Sequence, residues 1–144
     1  MNWESPLLHK PPVNAKLDHP VWQEVAEHFT PDEFNAPEEM DVEFIRLLFR
    51  IRVEAGIPLR ITSDSRDPKG SIGAKLSAHK KRPCRAIDCR IKNSYERARI
   101  VIAAVRCGIV RIGVYPGPMG DSGVLHLDAE THASNPSPRI WTRY

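Results

Sequence analysis

Among the six histidines in the 144-residue chain, two stand beside carboxylates in a pattern that suits metal chemistry. His79 follows Ser77-Ala78 at the end of a polar stretch, and nine residues later Asp88 sits between Ile87 and Cys89. In Val124-Leu125-His126-Leu127-Asp128, a period of two places His126 and Asp128 on one face and the two leucines on the other. Two imidazoles and one carboxylate, His79, His126 and Asp88, suit Zn²⁺ at about 2.0–2.2 Å and leave the fourth tetrahedral position for water, the arrangement of a catalytic site. The competing account of Asp88 is an ion pair with Arg85 or Arg90, because buried charges are paired or bind metal. His9 and His19 lie in an N-terminal arm and His28 on a predicted helix, where ordinary structural roles suffice.

The elements that must position these groups follow from local pattern. Val21, Trp22, Val25 and Phe29 recur at helical spacing after His19-Pro20, predicting a short helix. Phe44, Leu48, Ile51 and Ala55 form the stripe of a longer helix from about Glu38, which Gly56 should cap. Residues 58–63 alternate as a strand, and the polar, glycine-containing stretch from Asp64 to Ser77 reads as a loop. Residues 85–91 alternate again, with Ala86, Asp88 and Arg90 on one face and Ile87, Cys89 and Ile91 on the other. Asn93 with Glu96 three residues on predicts a capped helix to Gly108. Two strands, 110–115 and 124–129, follow. The order implies an α+β domain with a small, mainly antiparallel sheet and helices packed on one side. Residues 1–19 read as an extended, proline-marked arm and residues 20–144 as a single domain.

Composition bounds the function. With 41% hydrophobic and 27% charged residues and a net charge of +3, the chain is neither disordered nor a membrane protein, and its charge is well short of a nucleic-acid-binding tail. The start, Met1-Asn2-Trp3-Glu4-Ser5-Pro6, lacks a basic segment followed by an apolar one, so no secretory signal is expected. Cys84, Cys89 and Cys107 are odd in number and lie in apolar segments, which predicts reduced, buried thiols. The basic cluster Lys75, Lys80, Lys81, Arg82 and Arg85 reads as a solvated loop or as a patch that attracts an anionic polymer.

Several segments together carry a resemblance. Thr62-Ser63-Asp64-Ser65-Arg66, Ser77-Ala78-His79 with Ala86-Ile87-Asp88, Ile112-Gly113-Val114-Tyr115 and Leu125-His126-Leu127-Asp128 appear in that order. The series resembles the zinc D-alanyl-D-alanine carboxypeptidase and L-alanyl-D-glutamate peptidase family, which shares its fold with the Hedgehog signalling domain and includes bacteriophage endolysins. Phe29-Thr30-Pro31-Asp32-Glu33-Phe34 resembles the segment before the long helix in that family's C-terminal-type branch, and Pro138-Arg139-Ile140-Trp141 resembles the end of its domain. The likeness spans roughly residues 28 to 141.

The resemblance implies that His79, Asp88 and His126 ligate zinc and that Arg66 holds a substrate carbonyl or carboxylate, with Ser77 supporting the loop that presents His79. For Arg66 the alternative is a salt bridge with Asp64 or Asp67; for Trp141 it is packing on the core. Two departures stand out. Eight residues, Lys80 to Ile87, separate His79 from Asp88 where the family pattern has six with a glycine, an insertion around Lys81-Arg82-Pro83. Several branches of the family place an acid three residues before the second histidine, and here that position is Gly123. The expected general base is then Asp128, which the strand projects to the side of His126 and whose rival role is to accept the free ring N–H of a ligand histidine; Asp121 and His132 are weaker candidates.

The implied activity is that of a hydrolase: a zinc metallopeptidase, carboxypeptidase or endopeptidase, that cuts the stem or cross-link peptide of bacterial peptidoglycan. A phage lysis enzyme of this kind accumulates in the host cytoplasm and degrades the cell wall once the membrane is breached. A monomer that binds neither nucleic acid nor membrane is expected. The alternative of a different class is a catalytically inactive, zinc-stabilised binding or virion-structural module of the same fold.

Overall fold

The computed structural model describes residues 3–64, 77–118, 120–130 and 137–143. Arg66, Lys75 and His132 lie outside these residues. Three α-helices, α1 (Val21–Glu24), α2 (Val42–Ala55) and α3 (Ser94–Arg106), accompany five strands. The strands are β1 (Arg60–Ser63), β2 (Ala86–Ile91), β3 (Arg111–Pro116), β4 (Gly123–Asp128) and β5 (Arg139–Thr142). They form one sheet in the order β1-β2-β4-β3-β5, antiparallel except for the β3–β5 pair. The fold is α+β, with the helices packed against a mostly antiparallel sheet.

Alternation decides which face is covered. Ile87, Cys89 and Ile91 of β2, Leu125 and Leu127 of β4 and Ile112 of β3 are buried with Phe44, Leu48 and Ile51 of α2 and Ile100 and Ala104 of α3. Each such aliphatic or aromatic side chain contributes about 1.5–3 kcal/mol on burial. The opposite face, with Asp88, His126 and Asp128, is therefore left for polar chemistry. Among the described residues, no helix is long and apolar enough to cross a membrane.

Helix termini obey local chemistry where nothing competes. Gly56 ends α2 in the left-handed region (φ 69°), its N–H bonded to the Arg52 carbonyl, as its C-cap position predicts. Asn93 caps α3 by accepting from the Glu96 N–H at 2.9 Å. The Glu96 carboxylate turns instead to the Lys92 N–H and to Arg60. In α1 the predicted helix to Phe29 closes after one turn, and residues 25–28 continue as turns with Val21, Trp22, Val25 and Phe29 all buried.

Long-range pairing overrides pattern in three places. The predicted start of α2 at Glu38 moves to Val42, because residues 39–41 pair with Cys84: the Cys84 N–H donates to the Glu39 carbonyl at 2.7 Å and the Asp41 N–H to the Cys84 carbonyl at 2.9 Å. The N-terminal arm folds back onto the domain, with Leu7 and Ala15 buried and the Ser5 hydroxyl bonded to the Ala129 carbonyl. Residues 139–142 form a fifth strand, where the sequence pattern suggested only a terminal segment.

Asp41 ties these segments together. Fully buried, its carboxylate accepts from the Val13 N–H of the arm (2.9 Å), the Phe44 N–H at the start of α2 (3.1 Å) and Arg85 Nε (2.9 Å). Arg85 also donates to the Leu7 and Lys10 carbonyls. Asp41→Ala removes a cap and strands a mostly buried guanidinium, so it is expected to cost about 3–5 kcal/mol. Thermal unfolding followed by circular dichroism should show a midpoint lower by roughly 10 °C or more.

Candidate metal centre

One register position across the sheet carries the site. Asp88 of β2 pairs with His126 of β4, His126 with Gly113 of β3, and Gly113 with Trp141 of β5, so all four positions share the face away from the helices. His79 arrives from outside the sheet on a single 3-10 turn, Ala78–Lys80, capped by the Ser77 hydroxyl, whose oxygen accepts from the His79 N–H at 3.3 Å.

The structure brings His79, Asp88 and His126 together. His79 Nε2 lies 3.1 Å from His126 Nδ1 and 3.2 Å from Asp88 Oδ1, and His126 Nδ1 lies 3.1 Å from the same Asp88 oxygen. Zinc ligands at ~2.0–2.1 Å in a tetrahedron stand about 3.3 Å apart, close to this spacing. His79 and His126 are 2% and 6% exposed, so solvent does little to separate the three atoms.

The far nitrogens settle the protonation of the near ones. His79 Nδ1 lies 2.6 Å from the Asp64 carbonyl oxygen, and His126 Nε2 lies 2.6 Å from Asp128 Oδ2. A carbonyl or a carboxylate only accepts, so each of these nitrogens carries the N–H of its ring. In the neutral imidazoles the facing nitrogens, His79 Nε2 and His126 Nδ1, are then bare lone pairs. Two lone pairs and a carboxylate oxygen within 3.2 Å of one another need a positive charge among them, a proton or a metal cation. This donor set fits Zn²⁺.

Electrostatics of the metal-free site agree. Burial pushes the His126 imidazole down, but hydrogen bonds and charge from Asp128 and Asp88 outweigh it and raise its pKa above the ordinary value. Burial pushes the Asp88 carboxyl up, and His126 and His79 overcome it to hold the carboxyl well below the usual range. A proton on His126 thus occupies the place that a cation would take.

Asp128 does not stand where a base for this site would have to stand. Its Oδ2 faces the His126 nitrogen that points away from Asp88, while its Oδ1 accepts from Arg111 Nε at 2.7 Å and from the Glu130 N–H at 3.1 Å. Of the two roles weighed for it, the geometry gives the orienting one. Asp121 is further removed, exposed and bonded through its carboxylate to Ser94, whose N–H and hydroxyl lower its pKa. Gly123 could not carry an acid: it adopts φ 145°, and a Cβ there would fall 2.2 Å from the Tyr115 carbonyl oxygen. Of the two ion-pair partners weighed for Asp88, Arg85 is committed to Asp41.

Other sequence expectations find their places. The Asp64 carboxylate accepts the Asn35 and Ala36 N–H groups at 3.1 and 3.0 Å. Of the basic cluster, Arg85 is bound to Asp41 and Arg82 to Glu39 at 3.2 Å, so these two charges serve the fold. Cys84 and Cys89 are fully buried thiols, and burial raises both to about 12.

Three contributors were not among the site residues expected from sequence. The Asp64 carbonyl fixes the His79 ring, Arg111 anchors Asp128, and Trp141 packs its ring 5.2 Å from that of His126. Gly113 makes the last contact possible, because a Cβ there would sit 2.7 Å from Trp141 Cε2. These roles depend on contacts across the fold.

Isothermal titration of metal-free protein with Zn²⁺ is expected to show one equivalent bound through this cluster, abolished in His126→Ala. Asp128→Asn, which removes the charge that orients His126 but keeps the ligands, should weaken binding about 10–100-fold without abolishing it.

The pKa shifts set the sign of a pH effect. Raised in the folded chain, His126 contributes stability fully present below the ordinary imidazole value of ~6.5 and lost as pH rises through its folded value. Lowered Asp88 contributes stability present above ~3.9 and lost as pH falls. Metal-free protein is therefore expected to lose stability as pH rises above about 6.5, by at most about 1.4 kcal/mol per pH unit for one proton. Saturating Zn²⁺ should reverse that slope, because metal and proton compete for the same lone pairs; denaturant midpoints at several pH values, with and without zinc, check both signs. Compared with known proteins, the chain matches no family model, no curated protein and no solved structure, so its family resemblance rests on the residues quoted above.

Proposed function

We propose that this chain is a zinc metallopeptidase that hydrolyses a peptide bond in the stem or cross-link of bacterial peptidoglycan, in the setting of phage-mediated lysis. The single observation that carries the metal is the convergence of His79 Nε2, His126 Nδ1 and Asp88 Oδ1 with both far ring N–H groups already donated. Three protein ligands of this type mark catalytic rather than structural zinc sites. The ordered segments that resemble the carboxypeptidase family supply the substrate class.

When bound, zinc would polarise a scissile carbonyl and make water more acidic. The chain's own residues do the remaining work. Asp64 and Asp128 fix the two imidazoles, as acceptors of their outer N–H groups, and Arg111 holds Asp128 in place. Arg66 is assigned to the developing negative charge on the substrate carbonyl, a task that suits a guanidinium's fixed fork of donors. Of the bases weighed from sequence, Asp128 is turned to His126 and Asp121 to Ser94.

A second reading keeps the zinc and drops the catalysis: a metal-stabilised binding or virion-structural module. Its support is specific, because the one position from which several family branches project an acid is here a glycine that sterics forbid from carrying one.

Digestion of purified peptidoglycan by zinc-loaded protein, followed by mass spectrometry, separates the two. The peptidase reading expects new peptide termini that vanish with a chelator, and a fall of at least 100-fold in their rate of formation in Arg66→Ala. Intact wall after incubation with folded, zinc-loaded protein would establish the binding module instead.

A further inference from the structure

We propose that Arg90 is a specificity-determining residue that pairs with a carboxylate of the bound peptide, one step along the sheet from the metal ligands. The peptide itself, from peptidoglycan, is taken from the function proposed above; the anion site is argued from charge and register. β2 alternates between a buried face and an open one, and Arg90 follows Asp88 on the open face with its side chain exposed. Its cross-strand partner is Val124, two residues before His126, so Arg90 is diagonal to that histidine at about 7–8 Å between backbones. Along β2 it stands about 6.6–6.8 Å from Asp88, twice the rise per residue. That separation matches about two residues of an extended peptide lying across the ligands.

The charges of the sheet single this residue out. Its strands carry four arginines, Arg60, Arg90, Arg111 and Arg139. Arg60 pairs with Glu96 at 2.9 Å, Arg111 with Asp128 at 2.7 Å, and Arg139 lies 5.6 Å from the centroid of the Trp141 ring. The nearby acids are committed as well: Asp88 to His79 and His126, Asp128 to His126 and Arg111, Glu96 to Arg60 and the Lys92 N–H. Among the described residues the Arg90 guanidinium has no hydrogen bond, ion pair or ring contact. Register makes this costly, because Arg90 is the direct cross-strand partner of Arg60, and like charges directly opposite are destabilising. Glu96 neutralises Arg60 and leaves Arg90 charged. For stability alone a second guanidinium there is a defect; an anionic ligand would remove it. The neighbours across the sheet on that row, Val124 and Tyr115, are uncharged, and the Tyr115 hydroxyl is engaged by Trp141 Nε1 at 2.7 Å. A guanidinium's planar fork of donors matches a carboxylate in two parallel bonds, which gives direction as well as charge.

The test compares equilibrium binding of a disaccharide-pentapeptide muropeptide to zinc-loaded protein at 4 °C with binding of the same compound after its carboxylates are converted to amides. Mass spectrometry of the same samples reports hydrolysis. Wild type is expected to prefer the acid over the amide by at least about tenfold, the effect of one charged hydrogen-bonded contact. Arg90→Gln should cut that preference about tenfold, binding the acid more weakly and the amide as before. Arg90→Lys keeps the charge without the fork and should fall between the two. Because Arg90→Gln removes a charge that faces Arg60, neither its thermal midpoint nor its zinc affinity should fall. An undiminished preference for the acid in Arg90→Gln overturns the proposal. So does an equal loss toward acid and amide, or a loss accompanied by a lower midpoint and weaker zinc binding, which would make Arg90 structural. Wild type that discriminates without cleaving, with Arg90→Gln indifferent to charge, upholds the anion site and overturns the peptidase reading. Cleavage with an undiminished preference in Arg90→Gln does the reverse, and a wild type that binds neither form overturns both.

Discussion

Two imidazoles that have each given their N–H to an acceptor behind them, and now face one another and a carboxylate, create a local demand for positive charge. The surrounding structure is arranged around that demand. Asp64 contributes through its carbonyl and Asp128 through its carboxylate, and both acceptors are themselves immobilised. The Asp64 side chain is clamped by two N–H groups of the 35–36 loop, and Asp128 by Arg111 and the Glu130 N–H. Neither ring can rotate to relieve the repulsion without stranding a buried N–H, which costs about 1–3 kcal/mol. A proton or a metal ion is the remaining remedy, and the choice between them depends on pH and metal supply.

The antiparallel register between β2 and β4 makes the cluster possible. Pairing Asp88 with His126 puts a carboxylate and an imidazole side by side on one face, while Ile87, Cys89, Leu125 and Leu127 seal the other against the helices. A slip of one residue in either strand would turn that strand's ligand toward the core. The hydrophobic face therefore protects the register, and the register assembles the polar face. His79 has no such support and relies on a capped turn, the Asp64 carbonyl and the buried Cys84 segment behind it.

Asp41 and Arg85 show the same economy at the level of the whole fold. One buried carboxylate stops α2 from extending toward Glu38, holds the N-terminal arm at Val13 and neutralises Arg85. Arg85 looked in sequence like part of a basic surface patch, or like a partner for Asp88. Its commitment to Asp41 and to the Leu7 and Lys10 carbonyls removes it from both roles and leaves Asp88 to the histidines.

By itself the sequence determined whatever depends on near neighbours. Period-two alternation put Asp88 and His126 on polar strand faces, the stripe from Phe44 to Ala55 marked α2, and Gly56 and Asn93 marked helix ends, because each is a preference expressed within a few residues of chain. The α+β class followed from their order. Tertiary structure alone decided the rest. Asp128 was legible as a neighbour of His126, but its orienting role depends on which ring nitrogen it meets, and i, i+2 spacing is silent about that. Gly123 read as a missing acid until its positive φ and the Tyr115 carbonyl showed why no side chain fits. The Asp64 carbonyl, Arg111 and the Trp141–Tyr115 pair reach the site across separations of 15 to 26 residues. Contacts of that kind leave no periodic trace, since they are chosen by how strands and loops meet in space.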